Sequence, residues 1–349
     1  MSEPVRPDPP GPEDEAPLVT FFVMAYRQEH VVREAIASAL AQTWPNLEIV
    51  LSDDCSPDGT FRVMEEMAAA YRGPHRVILN RNPVNLGICA HIDRIMELSS
   101  GELVIQNAGD DVSVPERTAA LTELWLASGR RAKLVCSPGR VIDAEGRDLG
   151  PKEHSALLRP GLRAEEAIRH GVKVLGATTG WDRDLFRVFG PLGSALGVED
   201  TVLPVRALLI GEIRQASDAL LLWRAGGTSW ADRRDLRGRD YLFGERLKIL
   251  RWRVANMDRI AEDLARAPIS EPERRACLAL ARRRGEEAAF DVALADASTP
   301  GRFARLGQAV ALARRHGTRA PLRQWLKYLF APLYALWLDR RYAPGELRW

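Results

Sequence analysis

The sequence predicts an α/β protein: a mostly parallel, doubly wound sheet flanked by helices, with a helical carboxyl-terminal extension. Three observations carry that class. Apolar runs of strand length occupy 18–24, 47–51 and 103–105, the pattern of strands covered on both faces. Segments with apolar residues at helical spacing lie between them. Two adjacent acid pairs, Asp53-Asp54 and Asp110-Asp111, follow two of the runs, and ligands of open α/β sheets collect beyond the carboxyl ends of strands.

Residues 1–17 hold six prolines and five acids with almost nothing to bury, and read as a disordered tail. The first strand stops at Ala25-Tyr26-Arg27-Gln28-Glu29. Between His30 and Thr43, the side chains of Val32, Ile36, Ala39 and Leu40 share one helical face, and Trp44-Pro45-Asn46 ends that helix. The strand at 47–51 follows, so the unit is a right-handed crossover between parallel strands. Ser56-Pro57-Asp58-Gly59 is a turn by composition, and Thr60 opens a helix that reaches Tyr71. A third strand falls at 77–79, a loop at 82–87, and a helix at 88–98 leads back into the strand at 103–105. Pro115 starts another helix at its first turn, where proline is tolerated, and 134–136 reads as a fifth strand. From Ala231 onward the pattern is helical and rich in arginine.

With 349 residues, 46% hydrophobic and 28% charged, the chain can bury an ordinary globular core. The net charge of +2 selects no partner, although 299–349 carries ten Lys/Arg against two Asp/Glu. No aromatic–basic platform accompanies those arginines, so no nucleic-acid partner is expected. Cys55, Cys89, Cys136 and Cys277 lie far apart, which suggests neither a disulfide framework nor a zinc site. No secretory signal and no long apolar run is visible. A cytoplasmic protein is expected.

Several stretches carry a more specific pattern, in order along the chain: Ala25-Tyr26 after the first strand; Ser38-Ala39-Leu40-Ala41-Gln42-Thr43-Trp44-Pro45; Leu51-Ser52-Asp53-Asp54-Cys55-Ser56-Pro57-Asp58-Gly59-Thr60; Asn85-Leu86-Gly87; Ala108-Gly109-Asp110-Asp111 with Pro115-Glu116-Arg117; and, after Gly176 to Leu192, Val198-Glu199-Asp200-Thr201 with Arg206. Over 18–230 this series resembles the family 2 inverting glycosyltransferases, nucleotide-sugar enzymes of the GT-A fold. Two positions depart from the family pattern. Ala108 stands where the common Asp-x-Asp-Asp motif begins, and Asp93 where the family often has Asn.

The resemblance implies a transferase that moves a sugar from a nucleoside diphosphate sugar, a UDP-sugar foremost, to a hydroxyl of a glycan or lipid-linked acceptor in surface polysaccharide synthesis. It places Ala25, Tyr26, Asp54, Asn85, Gly87 and Asp110 on the donor. It places Mg2+ or Mn2+ on Asp111 as main ligand, with Asp110 on the ribose or behind the metal. Hard oxygen ligands suit those cations, which offset the charge of the leaving diphosphate. Asp200 is implied as the base that deprotonates the acceptor, with Trp181, Glu199 and Arg206 on the acceptor side or supporting it. The alternative is a catalytically weak homologue that only binds a sugar nucleotide or glycan, an idea that Ala108 motivates. His91 and His154 read as ordinary polar positions.

Three parts are thus expected: the tail 1–17, a transferase domain 18–230, and a basic helical region 231–349. Within the last, Trp325 to Leu338 is dense in aromatic and aliphatic side chains and is flanked by Arg319, Arg323, Lys327, Arg340 and Arg341. It is too short to span a bilayer. Segment 319–341 is expected either to lie on an anionic membrane surface, at the inner face of the cell membrane, or to dock on the domain or a second subunit.

Overall fold

A computed structural model describes residues 16–152, 158–172, 174–226, 244–296 and 305–330. The expectations for the tail to residue 15, for His154 and for the stretch from 331 to 341 lie outside the described residues. The chain opens β1 (Val19–Ala25), α1 (Val32–Leu40), β2 (Leu47–Asp53), α2 (Thr60–Ala70), β3 (Arg76–Arg81), α3 (Ile88–Leu98) and β4 (Leu103–Ala108). It continues with β5 (Val112–Ser113), α4 (Arg117–Ala127), β6 (Ala132–Cys136), β7 (Gly139–Ile142), β8 (Asp148–Lys152) and α5 (Ala164–His170). Then come β9 (Thr179–Asp182), α6 (Asp184–Phe189), α7 (Val202–Ile210), β10 (Glu212–Gln215) and β11 (Leu221–Arg224). The extension holds α8 (Arg246–Arg266), α9 (Glu271–Ala295), α10 (Leu306–His316) and α11 (Ala320–Leu329).

The main sheet has seven strands in the order β10-β6-β9-β4-β1-β2-β3. Its pairs are parallel except where β9 runs against β4 and β6. Because β1 to β4 run the same way, their carboxyl ends come level. Ala25 stands beside Asp53, Asp53 beside Arg81, and Met24 beside Ala108. This shared edge is what brings the two acid pairs together. A second sheet, β5-β11-β7-β8, adjoins it; the sequence pattern did not predict it.

Successive strand residues point to opposite faces, and both faces are covered. Phe21, Ile49 and Ile105 pack under α1 and α4 with Ile36 and Trp125. Phe22, Val50 and Val104 pack on the other side with Ile92, Val202 and Leu203. Met257, Ile260 and Leu264 of α8, with Cys277 and Ala281 of α9, belong to that same core. The extension therefore completes the sheet's cover. A buried ion pair pins it there: Arg206 Nε and Nη2 donate to Asp263 at 2.7 and 3.1 Å, and both side chains are solvent-inaccessible. A smaller core joins α8 to α11 through Leu250, Phe290, Ala309 and Tyr328.

Candidate active site

At the carboxyl end of β2, the two aspartates of the first pair have different partners. Asp54 is held by its own chain. Its Oδ1 accepts Asn82 Nδ2 and the Leu86 N–H, both at 2.8 Å, and its Oδ2 accepts the Gly87 N–H at 2.9 Å. Asp54, expected on the donor, anchors the Asn85-Leu86-Gly87 loop. Asp53 is fully buried; its Oδ2 accepts the Ser56 N–H at 2.9 Å and lies 3.5 Å from Arg81 Nε. Its Oδ1 has no hydrogen-bond partner among the described residues. A buried acceptor left unpaired is costly unless something arrives to fill it.

The loop that Asp54 holds is shaped by Gly87, whose φ of 77° and ψ of 164° are open to glycine alone; Asn85 Oδ1 also accepts its N–H at 3.1 Å. Behind Asp54 runs a polar chain: Asn82 to Asn80, Asn80 to Ser52, and Ser52 Oγ to His91 Nε2 at 2.6 Å. Burial pushes His91 down to about 4, against the pull of Asp54, so the imidazole is a neutral interior partner. Ala25 accepts the Asp54 N–H through its carbonyl at 2.9 Å, and Tyr26, half-buried, follows it at the edge.

The second acid pair sits in a tight turn. Gly109 N–H donates to Met24 O at 2.8 Å and Asp111 N–H to Ala108 O at 3.1 Å. A Cβ at Gly109 would lie 2.5 Å from Gln28 Oε1 and 2.7 Å from Ala25 Cβ, so only glycine lets this turn close on β1. Asp111 turns inward: it is 1% exposed, and its Oδ1 accepts the Arg224 N–H at 2.9 Å. Asp110 is the half-buried, outward member. Asp111, expected as the main metal ligand, is thus the more deeply placed of the two acids. Burial raises both carboxyls, Asp111 further because Asp110 adds its charge; Gln28 and Arg224 oppose the shift at Asp110.

Arg117, quoted in the sequence but given no role there, clamps this turn from behind. It is fully buried and donates to Asn107 Oδ1, Ser113 Oγ, Gln106 O and Ala177 O. Among the described residues no cluster of three or more His, Cys, Asp or Glu side chains is arranged to hold a metal. The donor set still fits Mg2+ or Mn2+. Such ions are held by one or two carboxylates, with substrate phosphates and water completing the shell, and Asp110 offers one hard, outward oxygen donor.

The acceptor half meets β4 from the other side. Glu199 is buried and interacts with Gln106 of β4, four residues before Asp110. Gly176 makes room for it, since a Cβ there would collide with Glu199 Oε1. The Glu199 carbonyl accepts the N–H groups of Val202 and Leu203, both at 3.1 Å, and so starts α7. Asp200 follows, half-buried, with Thr201 Oγ1 3.3 Å from its Oδ1.

Burial and the neighbouring Asp200 charge push Glu199 from its ordinary 4.5 up to about 7. Between those two values the unfolded chain has released the proton that the folded chain keeps. Stability is thus expected to fall as pH rises through that window. Glu199→Gln should lack this slope, which urea midpoints at pH 5 and pH 8 would reveal; equal slopes in the two proteins would refute it.

Of the residues expected on the acceptor side or supporting it, Trp181 and Arg206 both lie in the interior. Trp181 is fully buried, 5.7 Å from Phe22 and 6.1 Å from Phe186 by ring centroids, and donates to Thr179 Oγ1. It cannot stack on a sugar. Arg206 is equally buried and is spent on Asp263 and the Gly190 carbonyl, so it supports the fold and touches no acceptor. Asp93, at the unusual position, accepts the Leu192 and Gly193 N–H groups at 2.7 Å each and ties α3 to the loop before α7.

A mostly parallel sheet whose strand ends carry two acid pairs, met by Glu199-Asp200 at the start of α7, is the arrangement of a GT-A fold. Residues 20–177, a little under half of the chain, match the family model for glycosyl transferase family 2. EpsE of Bacillus subtilis, a protein named as a glycosyltransferase, is 33% identical over 163 residues, 46% of this chain and 57% of EpsE. ExoO of Rhizobium meliloti, a succinoglycan biosynthesis protein, is 33% identical over 153 residues, 42% of this chain and 40% of ExoO. The matches thus span about half the length of these relatives. The 1–349 portion of TarS from S. aureus, solved in complex with UDP-GlcNAc, superposes with a TM-score of 0.55 at 17% identity, covering 93% of each chain. At that identity the likeness speaks for the fold alone.

Proposed function

We propose that the protein is an inverting glycosyltransferase that moves a sugar from a nucleoside diphosphate sugar, a UDP-sugar foremost, to a hydroxyl of a glycan or lipid-linked acceptor in polysaccharide assembly. The observation that carries this reading is the convergence on β4: outward Asp110 at its end, and the Glu199–Asp200 pair joined to it through Gln106. The UDP-GlcNAc bound by TarS and the succinoglycan role in ExoO's name support the donor and acceptor classes.

In this mechanism Asp54, at the edge of the Asn85-Leu86-Gly87 loop, borders the base, and Tyr26 lies against the ring. Asn85 and Gly87 border the sugar–phosphate. Asp110 would hold Mg2+ or Mn2+, which as a Lewis acid offsets charge on the departing diphosphate. Asp200 takes the acceptor's proton as its oxygen attacks the anomeric carbon from the face opposite the diphosphate. One C–O bond forms, the C–O bond to phosphate breaks, and the anomeric centre inverts.

The test is release of nucleoside diphosphate from a panel of UDP-, GDP- and dTDP-sugars with glycan acceptors, in Mn2+ or chelator. Metal-dependent turnover is expected with UDP-sugars. Asp54→Ala should weaken UDP binding by about 1–3 kcal/mol, since it strands the Leu86 and Gly87 N–H groups that order the donor-side loop. Binding without turnover in every combination would favour the binding-only alternative that Ala108 motivates.

No helix among the described residues is long and apolar enough to cross a membrane. A cytoplasmic protein with peripheral membrane contact through 319–341, of which 319–330 is described, is the companion proposal. Tyr328 faces inward, its hydroxyl accepting Arg246 Nε at 2.9 Å. Leu326 and Phe330 are exposed beside Arg319, Arg323 and Lys327. Apolar side chains ringed by cations suit an anionic interface. Co-sedimentation with vesicles containing phosphatidylglycerol is expected, and should be lost in Arg319→Glu/Arg323→Glu; equal binding to phosphatidylcholine alone would argue against it.

A further inference from the structure

We propose that Arg224 is the positioning residue for the cation-binding turn, an inference that rests on Asp110 being a cation ligand. Arg224 ends β11, 113 residues after Asp111, and is 5% exposed. Its main-chain N–H holds Asp111 Oδ1 at 2.9 Å, and its Nε donates to the Asp110 carbonyl at 3.1 Å. The first bond turns the Asp111 carboxylate into the protein. The second fixes the peptide between the two acids. With both set, the Asp110 carboxylate is left pointing outward.

The rest of the guanidinium anchors this grip. Nη1 donates to the carbonyls of Asp143 and Ala144, at 3.1 and 3.0 Å, in the turn between β7 and β8. Nη2 donates to Glu34 Oε2 on α1 at 2.7 Å. One forked side chain thus joins the acidic turn to the second sheet and to the first helix. Arg117 braces the same turn but reaches carbonyls and side chains behind β4, and holds neither acid's own groups. A lysine could not reproduce Arg224's set, because it lacks a planar fork of donors. Residues that orient metal ligands from behind are commonly worth 10–100-fold in metal affinity.

The test uses the full chain and two probes. Mn2+ affinity is read by electron paramagnetic resonance of free Mn2+ with UDP present, and UDP affinity by calorimetry in chelator. Arg224→Ala and Arg224→Lys are each expected to weaken Mn2+ binding by about 10–100-fold and to leave metal-free UDP binding within about twofold. Glu34→Ala, at a side chain 58% exposed, removes only the distant anchor and should weaken Mn2+ binding less, without threatening the fold. Combined with Arg224→Ala it should add nothing, since both act through one side chain.

Unchanged Mn2+ affinity in folded Arg224→Lys and Glu34→Ala would overturn the proposal. So would an equal loss of metal-free UDP affinity, the mark of a general structural staple. If wild-type protein binds UDP but never Mn2+, the cation reading of Asp110 itself falls and takes this inference with it. Normal Mn2+ binding by wild type and variants alike removes the Arg224 inference alone.

Discussion

Asp200→Asn is expected to lower kcat by about 10²–10⁴-fold, the usual contribution of a positioned general base, while donor affinity stays within about twofold. The amide keeps the size of the side chain and cannot take the acceptor's proton. Glu199 is poorly placed to substitute. Its carboxyl is buried between Gln106 and Gly176, turned toward β4. Loss of the Asp200 charge also removes one of the forces that raise Glu199, so more of Glu199 ionises near neutral pH in the variant. The result is a kcat effect separated from KM, read as UDP release at saturating donor and acceptor with donor affinity from calorimetry. Undiminished kcat in Asp200→Asn would move the base elsewhere.

The first half of the fold was legible because β1, β2 and β4 are covered on both faces, which writes short apolar runs into the chain. The helices between them are amphipathic, and their ends are marked by Trp44-Pro45 and Pro115. The second sheet left no such mark. β5 has two residues, β7 and β8 are four and five long and carry Gly, Arg, Asp and Pro, and their pairing joins distant segments. Which donors hold each member of an acid pair was equally hidden. Neighbouring carboxylates are told apart by donors that arrive from elsewhere: Asn82, Leu86 and Gly87 claim Asp54, and Arg224 claims Asp111. The same holds for Arg206, whose partner Asp263 lies 57 residues downstream in the extension. A buried Trp181 and a sugar-stacking one leave the same letter in the sequence. What could be read was the chemistry available at each strand end; what could not was its direction.

The two acids of the second pair are expected to fail in opposite ways when replaced. Asp110→Asn removes the outward hard donor and keeps the size of the side chain. Loss of a Lewis-acid contact is worth several kcal/mol, and each 1.36 kcal/mol is tenfold in rate. Turnover in Mn2+ should therefore fall by about 10²–10³-fold, with the urea midpoint near that of wild type. Asp111→Ala acts on the fold instead. It strands the buried Arg224 N–H that Asp111 Oδ1 accepts at 2.9 Å, at a cost of about 1–3 kcal/mol of stability. It also removes the carboxylate that offsets the buried guanidinium charges of Arg117 and Arg224. Asp111→Ala should thus show a lowered urea midpoint, and whatever fraction stays folded should still bind Mn2+ through Asp110. The reverse pattern, with stability tied to Asp110 and Mn2+ affinity to Asp111, would mean that the turn rearranges when the donor binds and that the inward carboxylate swings out to meet the cation.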